Sequence, residues 1–358
     1  MAVITLNDVK VVKGSTVVLD IDHLEIADGE LLVVLGPSGA GKSMLLRVIA
    51  GLEEIDSGSV LFDGVDMGPV ATPDRGVAMV FQDSTLYPFM DVRGNVGFPL
   101  SLRKLPREQI AARVEAEARV LEIEHLLARQ PGELGAGHQQ LVQAARALVR
   151  VPDVFLMDEP LARLDAHLRV QMRQEFRLLQ QGYGVTTAFV TNDQDEAMVL
   201  ADRVAVIDRG VIRQVAPPHE LYHRPATRFV AAFIGAMGFV RAELVKDPPG
   251  HWVRFGEYRI RAWAPSLDQV TGGRVEIGIR PDDIVADPAG VAVPTGQGYF
   301  VGSHGMAKVE VAPGQWIEMK TPGPPPSAGV EIRTRLRRLH LFDTETGEAL
   351  GLIEDGAG

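Results

Sequence analysis

The chain has 358 residues, of which 46% are hydrophobic and 23% are charged, and its formal net charge is −11. This composition is typical of a globular protein with roughly two or three domains. The acidic balance disfavours a nucleic-acid partner, and the absence of cysteine excludes disulfide bonds and thiolate metal sites.

The sequence has no recognisable targeting or membrane-spanning segment. Its start, MAVITLNDVK, lacks the basic stretch followed by an apolar run that marks a secretory signal. The nearest candidate for a membrane span, FVAAFIGAMGFV at residues 229–240, is interrupted by glycines and is shorter than the roughly 18 apolar residues required. We expect a buried segment there and a soluble chain, with any role at a membrane exercised through a partner.

Strand-like and helix-like patterns alternate from the amino terminus to about residue 208. Apolar runs predict strands, and apolar residues at helical spacing predict helices. One long helix is expected through REQIAARVEAEARVLEIEHLLARQ, ending at Pro131-Gly132. The predicted strands are residues 2–12, 15–26, 31–36, 153–158, 186–191 and 203–208, and further helices begin at residue 42 or cover 165–181 and 194–201. This alternation predicts an α/β fold with a parallel sheet and helical crossovers.

The pattern changes beyond about residue 236. Short strands punctuated by Gly and Pro predict a small all-β, barrel-like domain, with the proline-rich run 322–326 as a loop inside it. The predicted strands here are residues 251–256, 258–263, 274–281, 307–312 and 315–320. We therefore expect two domains, an α/β domain over residues 1–235 and a β domain over residues 236–358.

A phosphate-binding loop is predicted at the first helix. GPSGAGKS, residues 36–43, fits the pattern G-x-x-x-x-G-K-[ST] and lies between a buried strand and a helix, as the motif requires. Its backbone N–H groups and the helix N-terminus attract phosphate oxygens, its lysine is expected at the β/γ-phosphates, and its serine hydroxyl is expected to bind Mg²⁺. The candidate ATP-binding residues here are Gly36, Ser38, Gly39, Ala40, Gly41, Lys42 and Ser43.

A pair of carboxylates completes this candidate site. Asp158 and Glu159 end the apolar strand VFLMD. Asp158 is placed to hold Mg²⁺ together with Ser43, and Glu159 to polarise an attacking water. Adjacent acidic residues at a strand end also occur as helix caps, but the upstream phosphate loop favours the nucleotide role.

These motifs together resemble those of the ATP-binding-cassette (ABC) ATPases, and among them the ATPase subunits of maltose- and trehalose-type sugar importers. The resemblance covers nearly the whole chain and includes the segments VAMVFQDSTLYP, MDEPLARLDAHLRVQMR, HELYHRPATRFVAAFIG, IGIRPDDI and LRRLHLFDTETGE. It implies a P-loop nucleotide-binding domain with a helical subdomain at about residues 88–150, and a carboxy-terminal regulatory domain of oligonucleotide-binding-like barrels. It also assigns Gln82 as a metal-binding and catalytic residue and Asp165 to the D-loop.

The same resemblance implies partners. Members of the family dock on integral membrane permease subunits, here with STLYPFMDV near the docking groove, and receive solute indirectly from an extracytoplasmic binding protein. The chain would then be peripheral on the cytoplasmic face of the plasma membrane. The permease and the binding protein select the solute, so the sequence of this chain does not identify it.

The segment at the family's signature position departs from the pattern. Each ATP site of the family lies between one subunit's phosphate loop and the other subunit's signature, normally LSGGQ. This chain has LGAGH, in which Gly135 lacks the serine hydroxyl, Ala136 adds a methyl group where a positive φ would be costly, and His138 replaces glutamine. Leu141 stands where an arginine is usual. Gly137 and the helix N-terminus remain, so some affinity for anions is expected to survive.

Two positions on the other face of the site also depart from the family. Lys13 occupies the place of the aromatic residue that stacks on adenine, which leaves it and Val18 as candidate residues near the base, with Val11 and Val12 packing only weakly. Asn192 occupies the place of a histidine that faces the terminal phosphate. The asparagine amide does not take up a proton or carry a positive charge. Loss of a group that does so commonly lowers a rate by about 10²–10⁴-fold.

These departures favour a nucleotide-binding transport subunit with slow hydrolysis. A homodimer would combine all the changes in each site, whereas pairing with a second, intact ATPase subunit would divide them; we therefore favour a heterodimer. A homodimeric slow importer ATPase is one alternative. A nucleotide-dependent regulatory binding protein without a transport role is another.

Overall fold

The computed structural model describes residues 2–83, 86–247, 250–262, 265–270 and 272–354. Within this part of the chain, residues up to His219 form one compact unit and residues from Glu220 onward form a second. The segment 220–235 thus packs with the second unit, although the predicted boundary of the functional domains at 235/236 stays a prediction. Ser84 and Thr85 of the predicted docking segment, and Trp263 of the predicted strand 258–263, lie outside the described residues.

The helices and strands follow in the order expected of an α/β unit and a β unit. The helices are α1 (Lys42–Ala50), α2 (Val92–Leu102), α3 (Arg107–Val120), α4 (Ala136–Leu148), α5 (Ala166–Tyr183), α6 (Gln194–Leu200), α7 (Pro218–His223) and α8 (Arg228–Phe233). The strands of the first unit are β1 (Ile4–Lys13), β2 (Thr16–Ile26), β3 (Leu31–Leu35), β4 (Ser57–Phe62), β5 (Val65–Asp66), β6 (Val77–Val80), β7 (Val154–Asp158), β8 (Thr186–Thr191), β9 (Arg203–Asp208) and β10 (Val211–Ala216).

The second unit contains the remaining strands. They are β11 (Gly238–Asp247), β12 (Gly250–Phe255), β13 (Tyr258–Ala262), β14 (Arg274–Ile279), β15 (Ile284–Val301), β16 (His304–Ala312), β17 (Gln315–Thr321), β18 (Glu331–Leu336), β19 (Arg338–Asp343) and β20 (Ala349–Glu354). Short 3-10 helices cover Thr72–Asp74, Glu124–Leu126, Pro131–Glu133, Pro265–Gln269 and Pro281–Asp283.

The first unit is built on a mostly parallel sheet of strand order β10-β9-β3-β8-β7-β6. β3 pairs in parallel with β8 and β9, and β7 pairs in parallel with β6 and β8. The segment LLVVL of β3 is buried along its whole length, as expected for a central strand covered on both faces. Parallel strands end at one common edge of a sheet, so the loops that follow β3, β7 and β8 meet there.

An antiparallel sheet of order β2-β1-β4-β5 and the helix α1 cover this parallel sheet. Apolar residues of α1, β1, β2 and β3 share one core with residues from β7, β8 and β9. Helix α1 ends at Gly51, whose φ of 73° belongs to the left-handed conformation that closes helices. This packing fixes the first turn of α1, and with it the predicted phosphate loop.

The helical segment between β6 and β7 differs from its prediction. The long helix expected to reach Gln130 ends instead at Val120, and Glu122 follows with a φ of 56°. The residues after it fold into short 3-10 turns before α4. The apolar spacing continues through this break, because Ile123, Leu126 and Leu127 are all buried. Burial explains why the periodicity overestimated the length of the helix.

The second unit is rich in β-strands, as predicted. One antiparallel sheet has the order β13-β12-β11-β14-β19-β20, and another has the order β17-β16-β15-β18. Their inner faces share a core of Val, Ile, Leu and Phe side chains. The proline-rich run 322–326 forms no strand or helix and links β17 to β18. Residues 229–240, expected as one buried segment, are divided between α8 and β11, with Ala232 and Ala236 exposed.

Candidate functional site

The predicted phosphate loop connects the end of β3 to α1. Gly41 precedes the helix with a φ of 102°, and Gly39 has a φ of 78°, conformations that glycine adopts without strain. A Cβ atom on Gly36 would lie 2.2 Å from the carbonyl oxygen of Ile207, so the backbones of the loop and β9 approach too closely for any side chain. The first turn of α1 has no acidic residue. Its free N–H groups therefore remain available to an anion.

Lys42 is the cation of this loop and is only 5% exposed. Its Nζ donates to the carbonyl oxygens of Gly36 at 3.0 Å and Pro37 at 2.9 Å, and to Oδ1 of Asn192 at 2.5 Å. Burial lowers the pKa of Lys42, and the carboxylates of Glu159 and Asp158 partly oppose that shift. The loop thus holds its positive charge against its own backbone oxygens, at the edge of the sheet where β7 and β8 also end.

The pair Ser43 and Asp158 supplies oxygen atoms at the same edge. Ser43 Oγ donates to Asp158 Oδ1 at 2.9 Å. Burial raises the pKa of Asp158, while the Ser43 hydrogen bond and the charges of Lys42 and Arg47 act in the opposite direction. A hydroxyl and a carboxylate this close are the hard oxygen donors that Mg²⁺ prefers, so the residues fit that ion.

Magnesium sites of this kind take few ligands from the protein and the rest from phosphates and water. In keeping with that, the described part of the chain contains no cluster of three or more His, Cys, Asp or Glu side chains able to hold a metal by themselves. The fit to Mg²⁺ therefore depends on a bound nucleotide.

Glu159 is held by two amides. Its backbone has a φ of 45°, and its N–H donates to Val190 O at 3.0 Å, which ties the turn after β7 to β8. Gln82 Nε2 donates to one carboxylate oxygen at 3.2 Å, and Asn192 Nδ2 donates to the other at 2.5 Å. The structure thus brings together Gln82, Glu159 and Asn192, which the sequence had proposed as a catalytic set from distant segments.

Asn192 connects the cation to the carboxylate. Its Oδ1 accepts from Lys42 and its Nδ2 donates to Glu159, which fixes the orientation of the amide because an ammonium only donates and a carboxylate only accepts. The amide of Asn192 therefore joins Lys42 to Glu159. A bound nucleotide would compete with this amide for both groups. An amide does this without any exchangeable acid or base function.

The turn that carries Asn192 is braced by residues that the sequence analysis missed. Asp193 caps α6 by accepting from Glu196 N, and its carboxylate also accepts from Arg169 at 3.3 Å and Arg173 at 3.2 Å. Thr191 Oγ1 donates to Glu196 at 2.6 Å. The signal in the sequence is Asp193 directly before a helix, followed by Glu196 in its first turn.

Asp165 also lies where the sequence placed it, at the start of a helix. Its carboxylate accepts from the backbone N–H groups of His167 at 3.1 Å and Leu168 at 3.0 Å. The hydrogen bond from Leu168 contributes most to a lowered pKa of Asp165. The residue is thus a cap of α5 within this chain, and its role towards a second subunit stays a prediction.

The two residues predicted near the base have different surroundings. Lys13 forms an ion pair with Glu53 and its side chain is 52% exposed. Val18 packs through its backbone against the phosphate loop, since its carbonyl oxygen would lie 2.9 Å from a Cβ on Gly41. A lysine engaged with a carboxylate offers no aromatic face for stacking, in agreement with the sequence argument.

The signature-like segment LGAGH begins α4. Gly135 precedes the helix with a φ of −66°, and Ala136 is the first helical residue and has no positive φ, so the strain that a positive φ would cause at Ala136 is absent in this conformation. Ala136 is exposed, whereas Gly137 is buried against Leu168. The ring of His138 lies edge-on to that of His125, with centroids 6.0 Å apart.

A groove of about 450 Å³ opens at this helix start. The described residues that line it include the acidic Glu122 and Glu175 but no lysine or arginine. Helix α4 packs against α2, α3 and the edge strand β6, whereas α1 packs against β2, β6, β7 and β8.

No helix in the described part of the chain is long and apolar enough to cross a membrane.

A second groove, of about 670 Å³, lies between α2, α3 and the loop before α2. It is lined by Phe89, Met90, Phe98, Ile110 and Val114 together with the charged Asp91, Arg93 and Arg107. The ring of Phe89 is 74% exposed.

Comparison with known proteins agrees with this geometry. A family model described as ABC transporter matches residues 19–162. The trehalose/maltose import ATP-binding protein MalK of Thermococcus litoralis is 41% identical over 375 residues, which cover 98% of this chain and 100% of that protein. The sn-glycerol-3-phosphate import ATP-binding protein UgpC of Cereibacter sphaeroides is 42% identical over 362 residues, covering 98% of this chain and 100% of UgpC.

Solved structures match about three fifths of the chain. CbiO1 of Clostridium perfringens, part of the ABC transporter complex cbiONQ, has a TM-score of 0.57 and 27% identity, covering 61% of this chain and 89% of CbiO1. The ATP-binding cassette MJ0796, as a post-hydrolysis dimer with ADP and Pi, has a TM-score of 0.53 and 26% identity over 60% of this chain and 98% of that one. With a phosphate loop, paired acids and near-complete coverage of these relatives, the chain belongs to the ABC transporter ATP-binding subunits, the ATPases that are coupled to transport.

Proposed function

We propose that this chain binds Mg-ATP in the Gly36–Ser43 loop, pairs with a second ATPase subunit, and drives import of a sugar or a small polyol phosphate through a membrane permease. The solute class is supported by the relatives, one named for trehalose and maltose import and another for sn-glycerol-3-phosphate import. The observation that carries the catalytic part of the proposal is the amide of Asn192, hydrogen-bonded to both Lys42 and Glu159.

Binding of the nucleotide is assigned to groups that already lie at one edge of the sheet. Lys42 exchanges its bonds to Gly36, Pro37 and Asn192 for phosphate oxygens, while the N–H groups of the loop take the remaining oxygens. Ser43 and Asp158 would hold Mg²⁺ with help from the carbonyl of Gln82, and the ion would neutralise charge on the phosphates. Each of these contributions is retained in this chain.

Hydrolysis requires Glu159 to accept a hydrogen bond from the attacking water. Both carboxylate oxygens already accept from amides, one from Gln82 and one from Asn192. An imidazole at position 192 would be able to hold a proton next to the terminal phosphate, whereas the amide only orients. Slow turnover at this chain's own phosphate loop follows, by about 10²–10⁴-fold relative to a site with such a group.

The second subunit is proposed from the groove at α4. Gly135 provides no hydroxyl, and the lining of the groove carries Glu122 and Glu175 rather than a cation. Carboxylates close to a terminal phosphate are repulsive, so this surface is poorly suited to complete an ATP site on another copy of the same chain. A partner ATPase with its own signature would give the Gly36–Ser43 loop a better complement.

The permease is proposed to dock at the groove between α2 and α3. Exposed Phe89 and the apolar side chains of Met90, Phe98 and Ile110 offer a hydrophobic floor, and Arg93 and Arg107 border it. This combination suits the end of a helix that carries apolar and acidic side chains. Docking there would hold the chain peripherally on the cytoplasmic face of the membrane.

The proposal is tested by purifying this chain, with an affinity tag, from the membranes of the cells that produce it. Native mass spectrometry should find one copy of this chain, a second ATPase subunit and permease subunits, and Phe89→Asp should release the chain without changing its ATP affinity. Leu102→Asp serves as the matched control, because Leu102 is also exposed, at 67%, but does not line the groove. Two copies of this chain and no other ATPase would contradict the pairing, and a chain that never co-purifies with a permease would favour the regulatory alternative.

A further inference from the structure

A cavity in the second unit is lined by none of the residues assigned to nucleotide binding. It measures about 540 Å³ and lies between the segment His223–Ala226 and the strands β19 and β20. Its apolar walls come from Pro225, Ala226, Phe342, Leu350 and Leu352, and its polar side chains are those of His223, Arg224, His340 and Glu354. We call it the His340 cavity. It offers more room than a bare inorganic ion needs.

His340 is buried in the wall of this cavity, and one of its ring nitrogens lacks a hydrogen bond. The residue is 4% exposed, and its Nε2 is buried with no hydrogen-bond partner. It belongs to β19, between Gly278 of β14 and Leu352 of β20, and its ring stacks with Phe342 at 6.4 Å between centroids. Leaving a buried polar atom unpaired is costly, and such an atom beside a cavity indicates a group that is to bind there.

The charges around His340 are predominantly positive. Burial, together with the nearby charges of Arg280, Arg338 and His223, lowers the pKa of His340 to about 4. The carboxylate of Glu354 is engaged by Arg338 at 3.0 Å. Arg224 adds another guanidinium to the lining. A neutral imidazole under a positive potential is a poor place for a cation and a good place for an anion.

His223, the second histidine of the cavity, has a defined tautomer. Arg338 Nη1 lies 2.7 Å from His223 Nδ1, and because a guanidinium only donates, Nδ1 must accept. The proton of a neutral His223 is then on Nε2, which is a donor. The cavity therefore combines a guanidinium, an imidazole N–H and an unpaired imidazole nitrogen with apolar walls.

We propose that the His340 cavity binds a small organic phosphate monoester, with Arg224, His223 and His340 holding the phosphate and Phe342 and Leu352 contacting its carbon skeleton. Three nitrogen groups suit a tetrahedral oxyanion, which offers several acceptor oxygens, and Arg pairs with phosphate more strongly than with neutral acceptors. The apolar walls select a monoester over inorganic phosphate. This site is independent of the ATP site, so its test does not depend on the proposed transport function.

The experiment is calorimetric titration of the full chain with glycerol 3-phosphate, glucose 6-phosphate and inorganic phosphate, with glycerol and glucose as uncharged controls. All titrations use the Lys42→Ala background, which removes phosphate binding at the Gly36–Ser43 loop. At least one monoester should bind, about 10-fold or more tightly than inorganic phosphate or its uncharged counterpart. Arg224→Gln should weaken the monoester by about 10-fold or more, while Arg209→Gln, a change outside the cavity, should not.

Sulfate, which does not titrate between about pH 4.5 and about pH 7, gives a second readout. Because a bound anion favours the protonated ring, whose pKa is about 4 before binding, the affinity of the Lys42→Ala background for sulfate should rise as the pH falls from about 7 to about 4.5, by about threefold or more. The other groups facing the ring are Arg224, Arg280, Arg338, His223 and Glu354. His340→Gln should remove the pH dependence while leaving ATP affinity of the otherwise unmodified chain unchanged.

Three results would overturn the proposal. The first is the absence of binding by every monoester. The second is equal affinity for inorganic phosphate and the monoesters, which would indicate a simple ion site. The third is binding that survives both Arg224→Gln and His340→Gln unchanged, which would locate it elsewhere on the chain.

Discussion

The phosphate loop and the LGAGH segment both place a glycine before the free N-terminus of a helix, yet they differ in almost every other respect. Neither helix has a side-chain cap or an acidic residue in its first turn. In the phosphate loop, Gly41 has a positive φ, Gly36 contacts β9 through its backbone, and buried Lys42 supplies a charge. At α4, Gly135 has an ordinary extended conformation, and a Cβ atom there would have no neighbouring atom within 4 Å.

The two helix N-termini have similar backbone geometry but different chemical groups around them. A helix N-terminus contributes only a partial charge, and its attraction for anions is screened within a turn. The phosphate loop adds a cation, a hydroxyl and an enclosed backbone, whereas the α4 groove adds Glu122 and Glu175. We propose that this chain keeps the phosphate-binding groups of an ATP site and has changed the segment that would complete a site on a partner.

The largest effect is expected at Lys42. Lys42→Ala removes the buried ammonium that the loop directs at phosphates, so ATP affinity should fall by about 100-fold or more. Lys308→Ala removes an exposed lysine of the second unit and should leave the affinity unchanged. The measurement is equilibrium titration with a fluorescent ATP analogue and Mg²⁺, and equal affinities for the Lys42 variant and wild type would refute the assignment of the loop.

Steric tolerance should also differ between the regions. In Gly36→Ala the new Cβ would lie 2.2 Å from Ile207 O, a backbone atom that cannot rotate away, so the free energy of unfolding should fall by about 1–3 kcal/mol. Gly132→Ala, near α4 and open on all sides, should change it by less than about 0.5 kcal/mol. Denaturant unfolding measures both, and an unchanged Gly36 variant would show that the loop is not packed as described.

The stability of the helical segment that contains α3 and α4 should depend on pH because of Glu117. Burial raises the pKa of Glu117 to about 7, with a hydrogen bond from Tyr183 opposing the shift. The folded chain therefore keeps a proton on Glu117 that the unfolded chain loses above about pH 4.3. The contribution of Glu117 to the free energy of unfolding is thus greatest below that pH, falls as the pH rises to about 7, and then stays level.

Glu117→Gln removes this loss, because the amide stays neutral. The variant should equal wild type near pH 4 and exceed it by about 1–2 kcal/mol at pH 8. Glu115→Gln, on the exposed side of α3 and paired with Arg93, should not alter the pH profile. Unfolding by urea at both pH values tests this, and parallel profiles for wild type and Glu117→Gln would contradict it.

The smallest effect is expected at Gly135. Its φ of −66° and ψ of 160° suit a serine cap, whose hydroxyl can accept from the N–H groups of the first turn. Gly135→Ser should therefore raise the free energy of unfolding by about 0.3 kcal/mol. A clear loss of stability, measured by the midpoint of denaturant unfolding, would show that the segment had adapted structurally to glycine.

The sequence predicted the phosphate loop and its strand–helix context correctly, because the spacing of glycines, Lys42 and Ser43 follows directly from local backbone geometry. It also named Gln82, Glu159 and Asn192 as catalytic candidates, Gln82 and Asn192 through the family resemblance, and the structure places the three together at the edge where parallel strands end. It did not establish whether Ala136 has a positive φ, because a family pattern does not report backbone conformation; the residue is helical. It overextended the helix after Arg107, because buried apolar residues continue past the break at Glu122.

The His340 cavity was outside the reach of sequence reasoning. It depends on segments that are more than a hundred residues apart in the chain, His223–Ala226 and β19–β20. The bracing of Asn192 by Asp193, Arg169 and Arg173 depends equally on how α5 lies beside α6. Neither arrangement has a local spacing that a sequence pattern would reveal.

The most direct test of the account is steady-state phosphate release by variants that restore the changed groups in purified homodimers of this chain, assembled without a second ATPase subunit. Asn192→His alone, and the triple change Gly135→Ser, Ala136→Gly and His138→Gln alone, should each gain little, because the other half of every site stays changed. Their combination should gain more than the product of the separate gains, since the groups meet in one composite site. Independent, multiplicative gains, or no gain in the combined variant, would contradict the central claim that these two regions jointly limit hydrolysis.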